Sequence, residues 1–401
     1  MSILVLNSGS SSLKFKLFDI ASLKEIASGR AERIGMTEGT LVYYNGRNKT
    51  VINKDFPTHE LALEEALSLF TDSQVGVMDS IRQISAVGHR VLHGADRFSE
   101  SVLINENVVA AIEDCIPLGP LHNPANLMGI TACMDELPCV PQVAVFDTAF
   151  HASIPDYAHT YPIPHELTKK YHIRKYGFHG TSHRYAALAA AQMCEDESLR
   201  LICCHLGNGS SVAAISAGRC IDTSMGLTPL DGLEMGTRSG SIDPSVIQYL
   251  CKAENLSLDE FLNILNTKSG LLGVSGVSSD YRHTEAAADG GNERALLALS
   301  IFNYRVRTTI GAYAAALGGV DGIIFTGGIG ENSHRCRSAV LGGLEYLGAQ
   351  LDEKLNEQPS SEKRFIQSAS SKVKIMVIPA DEELMIALDT FELTKDLITK
   401  R

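Results

Sequence analysis

Two stretches of this sequence follow the same plan, and that repetition constrains the fold more than any other feature. In the first, an apolar run at 3–7 precedes a turn of Gly and Ser residues and a segment at 13–17 in which apolar residues alternate with lysines. In the second, apolar runs at 201–204 and 212–215 flank the turn HLGNGSS. Such runs on both sides of a small-residue turn are typical of β-hairpins. The chain is therefore predicted to contain two similar halves with a ligand between them.

The turns of these hairpins are suited to binding phosphate. Small residues at a turn allow backbone N–H groups to approach a phosphate without obstruction by side chains. The first turn also offers Asn7, four serines and Lys14, and a third glycine-rich turn at 326–332 follows an apolar strand at 322–325. Neither GxGxxG nor GxxxxGKS/T occurs, so the sequence does not support a dinucleotide-binding or P-loop mechanism. Each turn alone would be only a tight turn, but together the three indicate a polyphosphate site.

The rest of the chain alternates strand-like and helix-like segments, as in an α/β protein with covered sheets. Helical spacing is present at 60–70, 183–194 and 294–317, and buried strands are predicted at 84–87 and 143–146. The length of 401 residues suggests about two to three domains.

The composition excludes some classes of partner. Lys and Arg total 35 against 47 Asp and Glu, a formal net charge of −12, which argues against broad binding to nucleic acids or anionic membranes. The most apolar long stretch, at 309–325, is interrupted by glycines and Asp321 and is too short to span a bilayer. The N-terminus has no signal-peptide pattern. The nine cysteines include no CxxC pair, so reduced structural thiols and a cytoplasmic location are expected.

A series of sequence blocks extends from Asn7 to the last helix. The blocks are NSGSSSLKF (Asn7–Phe15), VGHRVLHG (Val87–Gly94), PLHNPA (Pro120–Ala125), VFDTAFH (Val145–His151), YGFHGTSH (Tyr176–His183), HLGNGSS (His205–Ser211), DTSMGLTPL (Asp222–Leu230), GTRSG (Gly236–Gly240), SSDYR (Ser278–Arg282) and TGGIGEN (Thr326–Asn332). In identity and in order they resemble the acetate kinase family, and the resemblance covers essentially the whole chain.

The resemblance implies an α/β fold of two actin-like, ribonuclease H-like domains with an interdomain cleft, as in the actin, sugar-kinase and heat-shock-protein superfamily. It places an N-terminal domain at 1–150, completed by a C-terminal helix at 383–401, and a nucleotide-binding domain at 151–382. It also implies reversible transfer of the γ-phosphoryl group of ATP to acetate, giving acetyl phosphate and ADP. The expected metal is Mg²⁺, with Mn²⁺ as an alternative, and the expected assembly is a homodimer.

Two arginines fit this chemistry on physical grounds. A carboxylate nucleophile is already ionised near neutral pH, so the reaction needs positioning and charge neutralisation rather than a strong base. A guanidinium group can bind a carboxylate or a phosphate through two hydrogen bonds. The resemblance assigns the substrate carboxylate to Arg90 and stabilisation of the transition state to Arg238.

His179 and Asp147 complete the predicted catalytic group. By resemblance, His179 donates a hydrogen bond to the phosphoryl group during transfer. The HxxxH spacing to His183 is not expected to bind zinc, because no third ligand accompanies it and Gly180 disfavours a continuous helix. His183 is expected to be structural or to support other site residues. Asp147 ends an apolar strand and either acts directly or holds Arg90 or Arg238 by a salt bridge. We favour orientation of the arginines and the metal shell over proton abstraction.

The metal and the nucleotide have their own candidate residues, all assigned by the resemblance. Glu382 is expected to bind Mg²⁺ with Asn7, a sparse set that suits a cation which keeps several waters. Lys14 is expected to approach the ATP phosphates. The residues expected to hold phosphates, ribose and adenine are His205, Leu206, Gly207, Asn208, Gly209, Asp280, Tyr281, Arg282, Gly328, Ile329, Gly330, Glu331 and Asn332.

The sequence departs from the family pattern at three places. Ala380-Asp381 replaces the usual threonine-asparagine before Glu382, Ser241 replaces a common aspartate, and Ala95 replaces the second glycine of HGG. None of them removes a residue with an assigned catalytic role. They bear on metal geometry and on rate rather than on the class of reaction.

Two alternatives to an acetate kinase stay open at this point. Leu92, Leu121, Phe178 and Pro229 are the apolar residues expected to form the methyl pocket, and one methylene is worth only about 1–3 kcal/mol there, so a propionate or other short-chain acyl kinase is an alternative. A nucleotide-driven chaperone or filament protein can have the same fold. The paired arginines and His179 disfavour that second alternative, because an ATPase that uses water needs no carboxylate clamp.

Overall fold

The computed structural model describes residues 2–19, 21–46, 48–120 and 122–398. The strands in this part of the chain are β1 (Ser2–Gly9), β2 (Ser12–Asp19), β3 (Glu25–Glu32), β4 (Thr40–Asn45), β5 (Asn48–Asn53), β6 (Ile84–Val91), β7 (Val102–Leu103), β8 (Gln142–Phe146), β9 (Arg200–Leu206), β10 (Ser210–Ser216), β11 (Arg219–Thr223), β12 (Gly322–Thr326), β13 (Arg364–Phe365) and β14 (Lys374–Val377).

The helices are α1 (His59–Phe70), α2 (Glu106–Asp114), α3 (Asn123–Glu136), α4 (Asp156–His159), α5 (His165–Tyr171), α6 (Gly180–Cys194), α7 (Pro244–Ala253), α8 (Leu258–Thr267), α9 (Gly270–Ser275), α10 (Tyr281–Asp289), α11 (Glu293–Ala316), α12 (Gly327–Asn332), α13 (His334–Leu341), α14 (Glu353–Glu357) and α15 (Glu382–Ile398). Among these helices, none has the length and apolar character that a membrane span requires.

The chain divides into two compact units, and each is built around one mixed sheet. Unit 1 comprises Met1–Phe150 and Asp381–Arg401, and unit 2 comprises His151–Ala380.

The sheet of unit 1 has the order β5-β4-β3-β2-β1-β6-β8-β7. Strands β1 to β5 pair with their sequence neighbours in antiparallel fashion, whereas β1, β6 and β8 are parallel. The carboxyl ends of parallel strands lie at one edge of a sheet, where polar residues commonly form binding sites. Asn7 near the end of β1, Arg90 near the end of β6 and Asp147 directly after β8 therefore share one edge.

Apolar side chains cover both faces of this sheet. On one face, Leu4, Leu6 and Phe15 belong to a core that includes residues of α1 and α3. On the other face, Ile3 and Val5 pack with Ile386 of α15. Full burial of one such side chain contributes about 1.5–3 kcal/mol, so α15 is a structural part of unit 1 although it is distant in sequence.

The sheet of unit 2 has the order β11-β10-β9-β12-β14-β13. Its first five strands repeat the arrangement β3-β2-β1-β6-β8 of unit 1. In each case three strands form an antiparallel meander, and two further strands run parallel to the last strand of that meander, which is β9 here and β1 in unit 1. The long helix α11 packs on one face through Phe302, Val306 and Ile310. The alanine-rich helix α6 contacts β9 and β12. The internal similarity expected from the two hairpins is thus present in the strand order.

Most predicted elements are confirmed, but the third glycine-rich segment is not a turn. The predicted hairpins are present, and the helices predicted at 60–70, 183–194 and 294–317 are observed at His59–Phe70, Gly180–Cys194 and Glu293–Ala316.

The segment at 326–332 instead forms the short helix α12. Its side chains stabilise it, because the Glu331 carboxylate accepts from the Gly327 N–H at 2.9 Å and the Asn332 amide donates to the Gly328 carbonyl at 2.9 Å. The first bond satisfies a backbone N–H group that the start of a helix otherwise leaves without a partner.

Candidate active site

A buried ion pair joins two predicted residues of unit 1. Arg90 Nη2 donates to Asp147 Oδ2 at 2.6 Å, and Arg90 Nε lies 3.1 and 3.2 Å from the two carboxylate oxygens. The Asp147 side chain is 1% exposed and that of Arg90 is 24% exposed. The Asp147 carboxylate raises the pKa of Arg90 above its ordinary value, outweighing the opposite effect of burial. The guanidinium is therefore charged and held in one orientation.

Glu382 lies at the start of α15 within the field of this pair. Burial raises the pKa of Glu382 to about 6, and the charges of Asp147 and Glu383 add to the rise, while Arg90 and Lys14 oppose it. A carboxyl group with a raised pKa becomes easier to ionise when a cation is placed beside it. A cation placed beside Glu382 would therefore stabilise its carboxylate form.

The other predicted residues of unit 1 lie on the β1-β2 hairpin and after β6. Asn7 and Lys14 are directly opposite one another in the hairpin register, and the Lys14 side chain is exposed. Leu92 follows β6, is 8% exposed, and its backbone N–H donates to Asn126 Oδ1 at 3.0 Å. Leu121 lies outside the described residues.

In unit 2, His179 occupies a conformation that is uncommon for a residue with a side chain. It has φ 57° and ψ 23°, in the left-handed region, immediately before α6. Strained backbone of this kind occurs preferentially at functional sites. Its Nδ1 lies 3.0 Å from the Ser211 hydroxyl, and its ring stacks on His205 with 4.2 Å between ring centroids. Phe178, the residue before it, is buried, and its carbonyl lies 2.9 Å from His151 Nε2.

Arg238 differs from Arg90 in having no acidic partner. Its Nη1 donates to the Pro229 carbonyl at 3.1 Å and lies 3.5 Å from Met235 Sδ. No ion pair in the described part of the chain includes Arg238. Burial lowers the pKa of its guanidinium, with no carboxylate to oppose the effect. A half-buried positive charge without a counter-ion can be stabilised by an anion.

The side chains of His179 and Arg238 both lie beside the backbone of Gly209. A Cβ atom on Gly209 would lie 3.4 Å from His179 Nε2 and 3.6 Å from Arg238 Nη1. Two nitrogen atoms with hydrogen-bonding capacity, from elements distant in sequence, therefore border the glycine of the β9-β10 turn. Such convergence of donors is what stabilisation of a developing negative charge requires.

The other glycine-rich segments of unit 2 are close to this turn. A Cβ on Gly236 would collide with the Asn208 amide oxygen and would lie 2.9 Å from the Ser279 carbonyl, and a Cβ on Gly207 would lie 3.9 Å from the Gly328 nitrogen. The predicted nucleotide residues at 205–209, 280–282 and 328–332 thus belong to neighbouring loops and helix starts.

Some of the predicted nucleotide side chains already have protein partners. Asp280 caps α10, accepting from the Arg282 N–H at 2.9 Å, and pairs with the Arg282 guanidinium at 2.6 Å. Tyr281 is buried against Phe302, and Glu331 also accepts from the Ala380 N–H at 2.9 Å. Backbone groups are therefore the main donors that these segments offer to a ligand.

Sequence reasoning gave no role to two residues near the predicted sites. Ser211 lies between His179 and His183, at 3.0 Å from the first and 2.8 Å from the second. Lys16 lies 3.4 Å from Glu383 and 3.8 Å from Asp381. Burial lowers the pKa of Lys16, but these carboxylates and Glu25 together outweigh burial and raise it. Ser211 is the last residue of the HLGNGSS block, and membership of that block was the only feature of the sequence that could have identified it as a site residue.

Sequence comparison identifies a family that covers nearly the whole chain. The model of the acetokinase family matches residues 2–388. The acetate kinase of Thermoanaerobacterium thermosaccharolyticum is 54% identical over 400 residues, and that of Thermoanaerobacter pseudethanolicus is 52% identical over 401 residues. Each match covers 99% of this chain and 100% of the relative.

Solved structures of the same class match the fold. The crystal structure of Porphyromonas gingivalis acetate kinase superposes with a TM-score of 0.94 at 46% identity, covering 98% of this chain and 99% of that one. A propionate kinase from Francisella tularensis superposes with a TM-score of 0.92 at 43% identity, with the same coverage. The resemblance and the actin-like α/β fold class predicted from the sequence are thereby confirmed.

Proposed function

This chain belongs to the acetokinase family, and we propose that it is an acetate kinase, which reversibly transfers the γ-phosphoryl group of ATP to acetate and yields acetyl phosphate and ADP. The observation that carries the proposal is the environment of Arg238. This guanidinium has no carboxylate partner among the described residues and shares the Gly209 backbone with His179. Phosphoryl transfer is catalysed mainly by positioning and by neutralising the charge of the transferred group, and this arrangement supplies both.

In unit 2, we assign His179 and Arg238 to the phosphoryl group. Burial deprives Arg238 of water, so the guanidinium gains more from an anion than an exposed arginine would. The ring of His179 is held against His205 and Ser211. Its other nitrogen, Nε2, can therefore donate to the phosphoryl group without a large rearrangement. The turn at 205–209, with 280–282 and 328–332, is assigned to the phosphates, ribose and adenine of the nucleotide.

In unit 1, we assign Arg90 to the carboxylate of acetate. Asp147 accepts from Nε and Nη2 of the guanidinium, which leaves Nη1 as a donor for a second carboxylate. Both carboxylate oxygens of Asp147 are engaged by the Arg90 guanidinium, so this side chain is not placed to take a proton from the substrate. Acetate is ionised at neutral pH and needs no base. Asp147 is therefore assigned to orienting Arg90.

The donors in unit 1 suit a divalent metal ion. Glu382 offers a carboxylate whose pKa is raised to about 6 by burial, and Asn7 offers an amide oxygen on β1. Oxygen ligands of this kind are preferred by Mg²⁺, which retains several waters. We propose that these two residues hold Mg²⁺, or Mn²⁺ as an alternative. A bound Mg²⁺ supplies neutralisation of phosphate charge, and Lys14, which lies near enough to influence Glu382, supplies further positive charge.

We favour acetate over propionate as the substrate because the relative from Thermoanaerobacterium thermosaccharolyticum is an acetate kinase. The fold is nevertheless shared with a propionate kinase. We assign the methyl pocket to Leu92, Phe178 and Pro229, with Leu121 as a further member. Because a single methylene changes the binding free energy by about 1–3 kcal/mol, activity with propionate as a second substrate is expected.

Assembly and location are also proposed from the family. We propose a homodimer, and a cytoplasmic location is in keeping with the use of ATP and with nine cysteines that are all free.

Product trapping tests the proposed function. The purified protein is incubated with ATP, MgCl₂ and either acetate or propionate, with hydroxylamine present to convert an acyl phosphate to a hydroxamate. We expect acetohydroxamate to form together with an equal amount of ADP, only when acetate is added, and more efficiently than the propionate product. Release of ADP at the same rate without any carboxylate would overturn the proposal and would favour a nucleotide-driven chaperone or filament protein. A higher kcat/KM with propionate would instead identify a propionate kinase.

A further inference from the structure

Ser211 on β10 is hydrogen-bonded to two imidazole rings at once. Its Oγ lies 3.0 Å from His179 Nδ1 and 2.8 Å from His183 Nε2. The hydroxyl is fully buried, and among the described residues the two rings are its only hydrogen-bond partners. A buried O–H without an acceptor is costly, so its single hydrogen is donated to one ring and the oxygen accepts from the other. The protonation of one histidine therefore determines the hydrogen-bond direction at the other.

His183 fixes the direction. It is fully buried in α6, and burial lowers its pKa well below the ordinary value, with His151 and His205 adding to the decrease. A neutral imidazole has one N–H group. Among the described residues, no hydrogen-bond partner reaches His183 Nδ1. A buried N–H without an acceptor is rarer and costlier than an unused lone pair, so the hydrogen is on Nε2 and is donated to Ser211.

The consequence for His179 follows from the single hydroxyl hydrogen. Because Ser211 accepts from His183, its own hydrogen points to His179 Nδ1, which is then an acceptor. The hydrogen of a neutral His179 is therefore on Nε2. A Cβ atom on Gly209 would lie 3.4 Å from this nitrogen and 3.6 Å from Arg238 Nη1, so the N–H is on the side of the ring that lies near Arg238.

A second contact fixes the plane of the same ring. His179 stacks on His205 at 4.2 Å with 31° between the rings, and His205 Nδ1 lies 2.8 Å from the Ser182 hydroxyl. Stacking limits tilt of the His179 ring, whereas the Ser211 hydrogen bond limits its rotation and selects its tautomer. The two constraints are therefore complementary.

We propose that His183 and Ser211 form a hydrogen-bond relay that fixes His179 as the Nε2–H tautomer and aims that N–H at the phosphoryl group. Neither residue touches the substrate in this proposal, so both are positioning residues. The proposal rests on the proposed function for the role of His179, whereas the tautomer itself is a property of the protein without substrate.

Steady-state kinetics of four variants test the catalytic part. Ser211→Ala and His183→Leu remove the hydrogen bonds of the relay. His183→Gln retains an amide N–H close to the place of Nε2. Ser216→Ala is a matched control on the same strand, outside the proposed site. Loss of one donor to a transition state lowers kcat by about 10²–10³-fold. A donor that is misoriented for part of the time should lower kcat less, by about 10–100-fold. We expect that loss in kcat for Ser211→Ala and His183→Leu, little change in KM for ATP and acetate, substantial recovery in His183→Gln, and no effect in Ser216→Ala.

Nitrogen-15 NMR of histidine-labelled wild-type protein tests the tautomer directly, with His179→Gln used to assign the ring. We expect Nε2 of His179 to be protonated and Nδ1 to be an unprotonated acceptor, and we expect Ser211→Ala to show a mixture of tautomers. A protonated Nδ1 in wild type, or an unchanged tautomer in folded Ser211→Ala, would overturn the relay. Should Ser211→Ala not fold, the wild-type spectrum still decides. The spectrum needs no turnover, so a protein that makes no acetyl phosphate but shows the Nε2–H tautomer would refute the proposed function and leave the relay standing.

Discussion

Glu234 provides a stability prediction that is specific to this chain. It lies in unit 2, four residues before Arg238, and is 2% exposed. Neither of its carboxylate oxygens has a hydrogen-bond partner among the described residues. Burial raises the pKa of Glu234 to about 7, although the positive charge of Arg305 opposes the rise. The carboxyl group should therefore remain protonated in the folded protein at a pH where it is ionised in the unfolded chain.

The sign of the pH dependence follows from this difference. Below the ordinary pKa of 4.5, both states hold the proton and pH has no effect through this group. Between that value and about 7, the unfolded state loses the proton and the folded state keeps it, so the free energy of unfolding falls as the pH rises. The difference of about 2.5 units corresponds to roughly 3 kcal/mol at most. Glu234→Gln has nearly the same shape and does not titrate, so it should abolish this loss.

Thermal unfolding of wild type and Glu234→Gln at about pH 5 and about pH 8 measures the effect. The variant should gain stability relative to wild type between the two pH values, by several degrees in Tm, because 1 kcal/mol corresponds to about 2–4 °C in a unit of this size. Glu254→Gln, at an exposed position, is the matched control and should follow wild type. If wild type and Glu234→Gln change in parallel with pH, Glu234 is ionised in the folded protein and the reasoning is refuted.

Three further predictions concern activity. Arg90→Ala and Arg238→Ala should keep the fold but lose activity by a factor that corresponds to about 2.7–4 kcal/mol, and near wild-type kcat with saturating substrates in either variant would contradict its role. Glu382→Ala should strongly raise the Mg²⁺ concentration needed for half-maximal rate, whereas Glu383→Ala, which loses a contact with a lysine, should change it little; equal effects would mean that the wrong carboxylate is assigned. Leu92→Ala should shift kcat/KM toward propionate by about tenfold at most, and an unchanged ratio would place the pocket elsewhere.

The elements that could be predicted from sequence are those with a local signal. The hairpins and the long helices follow from alternation and from helical spacing, which are properties of neighbouring residues. The helix α12 was predicted as a turn, because its glycines disfavour a helix and the stabilising bonds from Glu331 and Asn332 depend on side-chain geometry.

The site could be predicted in part, through the resemblance. From the sequence, Asp147 could either take part in the chemistry directly or form a salt bridge with Arg90 or Arg238. In the structure it pairs with Arg90, 57 residues away, because β6 and β8 are adjacent and parallel. Ser211 and its two histidines could not be connected from sequence, since they are 28 and 32 residues apart. Contacts of this range depend on strand pairing and helix packing, which leave no local pattern.

Phosphorus-31 NMR of the reaction mixture tests the central claim most directly. Wild-type protein with ATP, Mg²⁺ and acetate should give acetyl phosphate and ADP in equal amounts, and added acetyl phosphate with ADP should give ATP. Arg238→Ala should produce neither signal at a comparable rate. Formation of inorganic phosphate and ADP at a rate independent of acetate, with no acetyl phosphate signal, would contradict the assignment of this chain as an acetate kinase.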